Sequence, residues 1–127
     1  EMRSCALLAK GVAQRADAAP AATVLGMATL NGAKALGLGD RIGSLVTGKE
    51  ADVICVDLSA AATQPVYDPV SQLVYATSRD QVSDVWVAGR RLLADGEPLL
   101  ADTAVILARA EAWRVRLSAV PESVADD

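Results

Sequence analysis

Apolar residues recur at three- and four-residue intervals in two stretches near the start of the chain, the spacing that lines one face of an α-helix. The first stretch predicts a helix over residues 2–13. The second predicts a helix over residues 20–35, opened by proline and ended by Gly37 and Gly39. The expected faces comprise Met2, Cys5, Ala6, Ala9, Val12 and Ala13 in the first helix, and Val24, Met27, Ala28 and Asn31 in the second.

Two aspartates followed by helix-forming residues predict two more helices. Asp68 can cap a helix whose first position is Pro69. Asp102 can cap the last helix of the chain. The inward residues are expected to be Val70, Leu73 and Val74 in the earlier helix, and Ile106, Ala110, Trp113, Leu117 and Val120 in the later one.

Three shorter stretches have the composition of β-strands. An apolar, β-branched run predicts a buried strand over residues 52–57, after the turn-rich residues 40–49. Residues 82–88 alternate around Trp86, and a turn at Gly89 leads to a partner strand over residues 90–94. Asp95-Gly96 then forms a second tight turn.

The resulting order is helix, helix, strand, helix, hairpin, helix, a mixed α/β arrangement that is not an alternating βαβ series. The strands have few partners within the chain, and isolated hairpins are marginally stable. We therefore expect them to pair with, or pack on, polypeptide outside these residues. The first helix signal also starts at Glu1 without a capping residue, which favours a chain that begins inside a longer element.

Composition narrows the range of partners. The 127 residues are 52% hydrophobic, only 3% aromatic and rich in alanine, which predicts one domain with a thin core. A net charge of −4 disfavours nucleic acid, and no apolar run or signal peptide indicates a membrane or export. Cys5 and Cys55 lie in a helix pattern and a strand pattern, so we expect buried small hydrophobes and a cytoplasmic protein.

The chain contains no histidine. A Ser–His or Cys–His nucleophile pair is therefore impossible, and so is a mononuclear zinc site of the usual catalytic types. We accordingly assign no catalytic, cofactor-binding or metal-binding residue within this chain.

The spacing of Gly43 and Gly48-Lys49 is most of a phosphate-binding P-loop. The motif requires Ser or Thr next, but Glu50 stands there and its carboxylate would repel phosphate. A P-loop also follows a strand and precedes a helix, whereas a strand follows here. The pattern therefore indicates a glycine-bounded turn that feeds a strand.

Several acidic residues could be taken for ligands. Asp52 and Asp57 bracket a predicted strand, Asp68 precedes a helix, and Asp84 lies on the hairpin. Acidic residues in such places usually serve caps, turns and solvent faces, so structural roles are favoured for all four. Glu1 is given no role.

Five stretches of the sequence occur in the order of one known family: EMRSCALLAK from Glu1, MATLNGAKALGL from Met27, IGSLVTGKEADVICVDL from Ile42, YDPVSQLVYA from Tyr67 and VWVAGRRLLADGE from Val85. Together they resemble the C-terminal part of the metal-dependent amidohydrolases. Within that family they are most similar to the branch that deaminates 5-methylthioadenosine and S-adenosylhomocysteine. The resemblance covers residues 1 to about 119.

The resemblance implies a (β/α)₈ barrel with a small β-sandwich built from both chain ends. It assigns residues 1–38 to the terminal barrel helices, 39–120 to the C-terminal β-sandwich segment with its closing helix, and 121–127 to a frayed tail. The family binds zinc through histidines and a last-strand Asp at the barrel's active end. None of these ligands matches a position here, so zinc would be held by upstream residues absent from this chain.

The implied partners are the missing N-terminal barrel portion, a small nucleoside substrate and a second copy of the protein in a homo-oligomer. Two alternatives stay open. The chain could be a free-standing interaction or scaffold module that exposes apolar faces. It could also be the tail of a sibling guanine, cytosine or triazine-type aminohydrolase.

Overall fold

The computed structural model describes residues 1–118, and the chain divides into two compact units, one of residues 1–97 and one that begins at Pro98. The helices are α1 (Met2–Ala13), α2 (Ala21–Gly26), a π-helical turn (Met27–Asn31), α3 (Gly32–Ala35), α4 (Pro69–Tyr75) and α5 (Thr103–Ser118), with 3₁₀ turns at Ala61–Thr63 and Arg79–Gln81. The strands are β1 (Val53–Val56), β2 (Val82–Val87), β3 (Arg90–Ala94) and β4 (Glu97–Pro98).

Helix α1 spans the predicted residues, and Glu1 at its N-cap makes no side-chain capping bond. Ala6 is fully buried, and Met2 and Cys5 are half-buried against the same cluster. Val12, which was expected on this face, is 83% exposed. Beyond the first two turns, Lys10 still contacts the chain, since its Nζ donates to the Ala18 carbonyl at 2.6 Å.

The second predicted helix is not continuous. A π turn over Met27–Asn31 separates α2 from α3, and the Thr29 hydroxyl donates to the Leu25 carbonyl at 2.7 Å. A π turn inserts one extra residue, so later positions no longer follow the 3.6-residue period. Of the four residues expected to share a face, Val24 is buried, whereas Met27, Ala28 and Asn31 are exposed in this chain.

Gly37 ends this helix as predicted. Its φ is +72°, its N–H donates to Lys34 at 3.0 Å, and the Leu38 N–H donates to Ala33 at 2.8 Å. This is the Schellman pattern, in which a left-handed residue lets two amides satisfy the last carbonyls of a helix.

The core of the first unit is small and rich in alanine. Ala6, Ala21, Val24 and Val74 form a buried cluster between α1, α2 and α4, with Val70 packed at its margin. The predicted inward face of α4 is confirmed for Val74 and Val70, whereas Leu73 is half-buried and lines the groove described below. Since alanine buries little area, this core supplies limited hydrophobic stabilisation.

The sheet has the order β1-β2-β3-β4 with antiparallel pairing of β1 to β2 and of β2 to β3. Ala88 and Gly89 have φ of 49° and 77°, and Asp95 and Gly96 have 50° and 80°. Positive φ at both central residues defines the tight type I′ hairpin turn. Both predicted turns are therefore confirmed.

Strand β1 lies at an edge of the sheet rather than in its middle. Ile54 is 56% exposed and Cys55 is exposed, so the predictions of a buried strand and a buried Cys55 are wrong for this chain. The apolar run correctly indicated a strand, but it could not show how many neighbours the strand has. Cys5 and Cys55 are free thiols, as expected.

In the second unit, Asp102 accepts hydrogen bonds from Ala104 N at 2.9 Å and Val105 N at 3.3 Å, so the predicted cap of α5 is confirmed. Ile106, Trp113 and Leu117 of the predicted stripe are more than half exposed. Val120 and the tail 121–127 lie outside the described residues. None of the helices within residues 1–118 is both long and apolar enough to cross a lipid bilayer.

Candidate site: an apolar groove beside the first strand

An open groove of about 810 Å³ lies in the first unit. One wall is the α2–α3 segment, the second is the turn at residues 42–45, and the floor is β1 with Leu58 and the start of α4. Among residues 1–118, Asp52 is the only charged residue that lines it. The lining residues are Leu25, Ala28, Thr29, Gly32, Ala33, Leu36, Ile42, Gly43, Ser44, Leu45, Asp52, Val53, Ile54, Val56, Leu58, Pro69 and Leu73.

Gly43 brings the turn against the helical wall. Its φ is +85°, and a Cβ built at this position would lie 2.7 Å from the Ala33 Cβ and 2.9 Å from the Leu30 Cα. Two features of this position therefore require glycine: its left-handed backbone and its close approach to the helix.

Lys49 holds the same turn from inside. Its Nζ donates to the carbonyl oxygens of Gly39 and Ile42, the second at 3.2 Å. The side chain is half-buried, so these carbonyls replace water around its ammonium group. No sequence pattern predicts this role of Lys49, because its two acceptors lie seven and ten residues away.

The base of the turn is closed by Arg41 and Glu50. The Glu50 N–H donates to the Arg41 carbonyl at 2.8 Å, and the Arg41 guanidinium donates to Glu50 Oε1 through Nε at 2.7 Å and Nη2 at 2.5 Å. The lysine and glutamate of the P-loop-like pattern are thus both used within the loop. The prediction of a glycine-bounded turn that feeds a strand is confirmed.

Asp52 connects the start of β1 to the hairpin. Its Oδ1 accepts the Ala88 N–H at 2.7 Å, and the Gly89 N–H donates to the Ala51 carbonyl at 3.0 Å. The carboxylate therefore fixes the β2–β3 turn beside β1.

The other three aspartates also have structural partners. The pKa of Asp57 is lowered by hydrogen bonds from Ser59, first from its N–H at 2.8 Å. The pKa of Asp68 is lowered by the Ser71 hydroxyl and by the helix-capping N–H groups. The pKa of Asp84 is lowered first by the Arg91 guanidinium, whose Nε lies 2.9 Å away. These are the contacts expected of caps, turns and ion pairs.

A buried polar cluster that the sequence analysis missed joins the loop after β1 to α4. Thr63 is fully buried, and its hydroxyl lies 2.9 Å from the carbonyls of Leu58 and Ala60. Gln72 donates to the Thr63 carbonyl at 2.6 Å, and Gln81 donates to the Asp57 carbonyl at 2.8 Å. No local pattern in the sequence predicted this cluster, because the bonds from Gln72 and Gln81 reach residues 9 and 24 positions away.

The part of the chain that the structure describes contains no cluster of three or more His, Cys, Asp or Glu side chains able to hold a metal ion. The four aspartates discussed above are spread over separate turns and caps, each with its own partner. The donor set therefore does not fit a catalytic zinc ion, which requires three protein ligands around one point. The assignment of no site residue stays a prediction.

Comparison with known proteins identifies a family and several similar proteins. The family model described as "Amidohydrolase family" matches residues 1–92. A 5-methylthioadenosine/S-adenosylhomocysteine deaminase from Teredinibacter turnerae is 46% identical over 119 residues, which cover 94% of this chain and 27% of that protein. The chain thus spans about a quarter of the length of this relative.

Two solved structures resemble the fold closely. A zinc-bound adenosine deaminase from Xanthomonas campestris is 54% identical with a TM-score of 0.92, over 94% of this chain and 27% of that one. A zinc complex of atrazine chlorohydrolase from Arthrobacter aurescens is 33% identical with a TM-score of 0.74, over 87% of this chain and 25% of that one.

Proposed function

The chain belongs to the amidohydrolase family, and from this membership we propose that it is the C-terminal structural part of a larger aminohydrolase. The proposed reaction is hydrolytic deamination, in which water replaces the amino group of an adenine ring and ammonia leaves. The single observation that carries the proposal is the 46% identity to a deaminase over 94% of this chain.

The proposed substrates are 5-methylthioadenosine and S-adenosylhomocysteine, the two compounds in the name of that relative. The similar adenosine deaminase structure supports an adenine nucleoside as the shared feature. The apolar groove described above is not proposed as the substrate site, because it offers one charged group, which is already bonded to the hairpin.

We propose that the whole protein uses zinc, held by residues outside this chain. Zinc in two similar structures supports the use of this metal. The absence of histidine from this chain supports ligands that lie outside it. Residues 1–118 would stabilise the fold of the whole protein and would not take part in the reaction. The two free thiols support a proposed cytoplasmic location, where cysteines are kept reduced.

Within the whole protein we propose that residues 1–38 cover the outside of the barrel. Residues 39–120 would form part of the β-sandwich with its closing helix, and 121–127 would be a tail. The large apolar side chains that the first unit leaves exposed support this, because the rest of a longer protein would cover them. Such residues include Leu7, Leu8, Val12, Leu36, Leu45, Val46 and Ile54. A homo-oligomer contact is also proposed for this region.

The test is an assay of the intact protein with 5-methylthioadenosine, S-adenosylhomocysteine and adenosine. We expect ammonia release together with loss of the adenine absorbance, and a stoichiometric zinc content by elemental analysis. Chelation should abolish ammonia release, and added zinc should restore it. The 127 residues alone are the control, for which we expect neither tight zinc binding nor ammonia release.

A sibling activity is the second candidate, supported by the similar atrazine chlorohydrolase structure. Guanine, cytosine and atrazine are therefore included as test substrates. If the protein converts one of these and not the adenine nucleosides, the proposed substrate class is wrong, while membership of the family is unaffected. Ammonia release by the 127 residues alone would contradict the structural role. An intact gene product of only 127 residues would favour the free-standing module.

A further inference from the structure

Helix α5 has apolar residues on two opposite faces. At about 100° per residue, one face, which we call the Trp113 face, and the face opposite, which we call the Ala112 face, are separated by charged residues. A helix that is apolar on both sides is buried on both sides, because covering one face leaves the other in water. The Trp113 face consists of Ile106, Ala110, Trp113 and Leu117, and the Ala112 face of Val105, Ala108, Ala112 and Val115.

The charges at the margins of the two faces differ. The Trp113 face has Arg109 and Arg116 along one margin and Arg114 along the other. The Ala112 face shares the margin of Arg109 and Arg116, but its other margin carries Glu111. The Trp113 face would therefore bring arginine against arginine if it paired with its own copy. The Ala112 face is complementary to itself, because an acidic margin can meet a basic one.

The spacing within the Ala112 face is that of a coiled-coil seam. Val105, Ala108, Ala112 and Val115 follow one another at intervals of three, four and three residues, the a and d positions of two heptads. Glu111 then occupies a g position and Arg116 the following e position, which form the salt bridges between parallel helices. An antiparallel pair would place the arginine margin against itself, so the charges favour the parallel arrangement.

The side chains of Glu111 and Arg116 can both make this contact. The Arg116 guanidinium lies 4.6 Å from the centre of the Trp113 ring, and a stacked guanidinium keeps its N–H donors available in its own plane. Glu111 accepts Arg114 Nε at 2.8 Å and Nη2 at 2.6 Å. Each carboxylate oxygen has a second lone pair, and the pair with Arg114 is exposed, so it contributes little on its own.

We propose that the Ala112 face of α5 pairs in parallel with the same face of a second copy of the protein, with Glu111 of each copy bound to Arg116 of the other. The inference rests on the proposed function, in which α5 is the closing helix of the whole protein and packs there through its Trp113 face. A 16-residue helix is only about 24 Å long. Since stable interfaces bury about 1,200 Å² or more, this contact is one part of a larger dimer interface.

The test is disulfide cross-linking of the intact gene product, because a parallel two-fold pair brings each Ala112 beside the Ala112 of the other copy. On mild oxidation, Ala112→Cys should form at least about tenfold more covalent dimer than Ala110→Cys, since only close Cα atoms can be bridged. Ala110 is the matched control on the Trp113 face, and wild-type protein gives the background from Cys5 and Cys55. Equal cross-linking of the two variants would overturn the proposal.

Charge reversal tests the salt bridges. Arg116→Glu should raise the dimer dissociation constant at least about tenfold in sedimentation experiments, because it places two acids together on each side of the contact. Adding Glu111→Arg reverses both charges and should restore the dimer. Arg109→Glu is the control, since its g-position neighbour in the second copy is the uncharged Ala104. A double variant no tighter than Arg116→Glu would contradict the pairing. If the reversed variants do not fold, the cross-linking comparison alone decides.

Further outcomes separate the interface from the proposed function. A dimer that cross-links through residue 112 but lacks deaminase activity would keep the interface and remove only the proposed function. Deaminase activity of a protein that stays monomeric at all concentrations would do the reverse. Cross-linking through residue 110 and not 112 would assign the Trp113 face to the second copy and overturn our choice of face.

Discussion

Asp52 accepts a hydrogen bond from the Ala88 amide at 2.7 Å, although 36 residues separate them in the sequence. The bond joins the entrance of β1 to a hairpin turn in which Ala88 has a φ of 49°. Left-handed φ is unfavourable for alanine, so a contact that satisfies its amide helps to keep the turn in place.

Removal of this bond should loosen the hairpin. We expect Asp52→Ala to lower the free energy of unfolding by about 1 kcal/mol, the usual contribution of one hydrogen bond. Asp52→Asn keeps an acceptor oxygen and should lose less. Urea denaturation of the intact protein measures both, and equal losses would show that the hydrogen bond is not the cause.

Gly43 and Gly48 provide a matched pair of substitutions in one loop. Both have positive φ, but only Gly43 has neighbours within 4 Å of a built Cβ. Gly48→Ala should lower the free energy of unfolding by about 1 kcal/mol through backbone strain alone. Gly43→Ala adds a clash with the helix and should cost clearly more. Thermal melts give the comparison, and equal melting temperatures would contradict the close contact.

The bonds from Lys49 to two carbonyls should stabilise the turn that forms one wall of the groove. Lys49→Met keeps the length of the side chain but leaves those carbonyls without their donor, so we expect a loss of about 1–3 kcal/mol. The control is Lys34→Met, since Lys34 is an exposed residue of α3. Faster proteolysis between residues 39 and 50 in the Lys49 variant only would localise the effect.

Acid should destabilise the first unit through its aspartates. The pKa values of Asp57, Asp68 and Asp84 are lowered from the ordinary 3.8 by hydrogen bonds to their ionised forms. A lowered folded pKa contributes stability that is fully present above pH 3.8 and is lost as pH falls through the folded pKa. We therefore expect the melting temperature to decrease once the pH is lowered past about 4.

The variant Asp84→Asn tests this acid dependence. It removes one titrating group and the ion pair with Arg91, so the protein should be less stable at neutral pH and lose less on acidification. An unchanged acid slope would show that Asp84 does not contribute. Carboxyl chemical shifts followed by NMR would assign the remaining titrations to Asp57 and Asp68.

The sequence predicted elements far better than it predicted burial. The Schellman end at Gly37, the Asp68 cap and both hairpin turns depend on local chemistry, and local chemistry is visible in the sequence. The π turn at residues 27–31 lies beside the Gly43 turn, and no period in the sequence predicts it. Ile54 and Cys55 are exposed because their burial depends on neighbouring strands, which an apolar run cannot count.

The candidate groove was also beyond prediction, because its walls come from three separated stretches of sequence. Lys49 and Gln72 were missed for the same reason. Each acts through the carbonyl of a residue seven to ten positions away, and such contacts exist only once the loop has closed. The absence of histidine is read directly from the sequence, and the assignment of no catalytic or metal-binding residue that follows from it stays a prediction.

The loop closed by Lys49, Arg41 and Glu50 has a consequence for how such sequences are classified. Its glycine and lysine spacing will be selected by any motif survey for ATP- or GTP-hydrolysing proteins that tolerates one mismatch. The lysine serves as an internal tether, so a mutation of Glu50 to serine would complete the motif on paper and remove the acid that pairs with Arg41. Resemblance to a nucleotide loop could therefore increase during evolution while the fold became weaker.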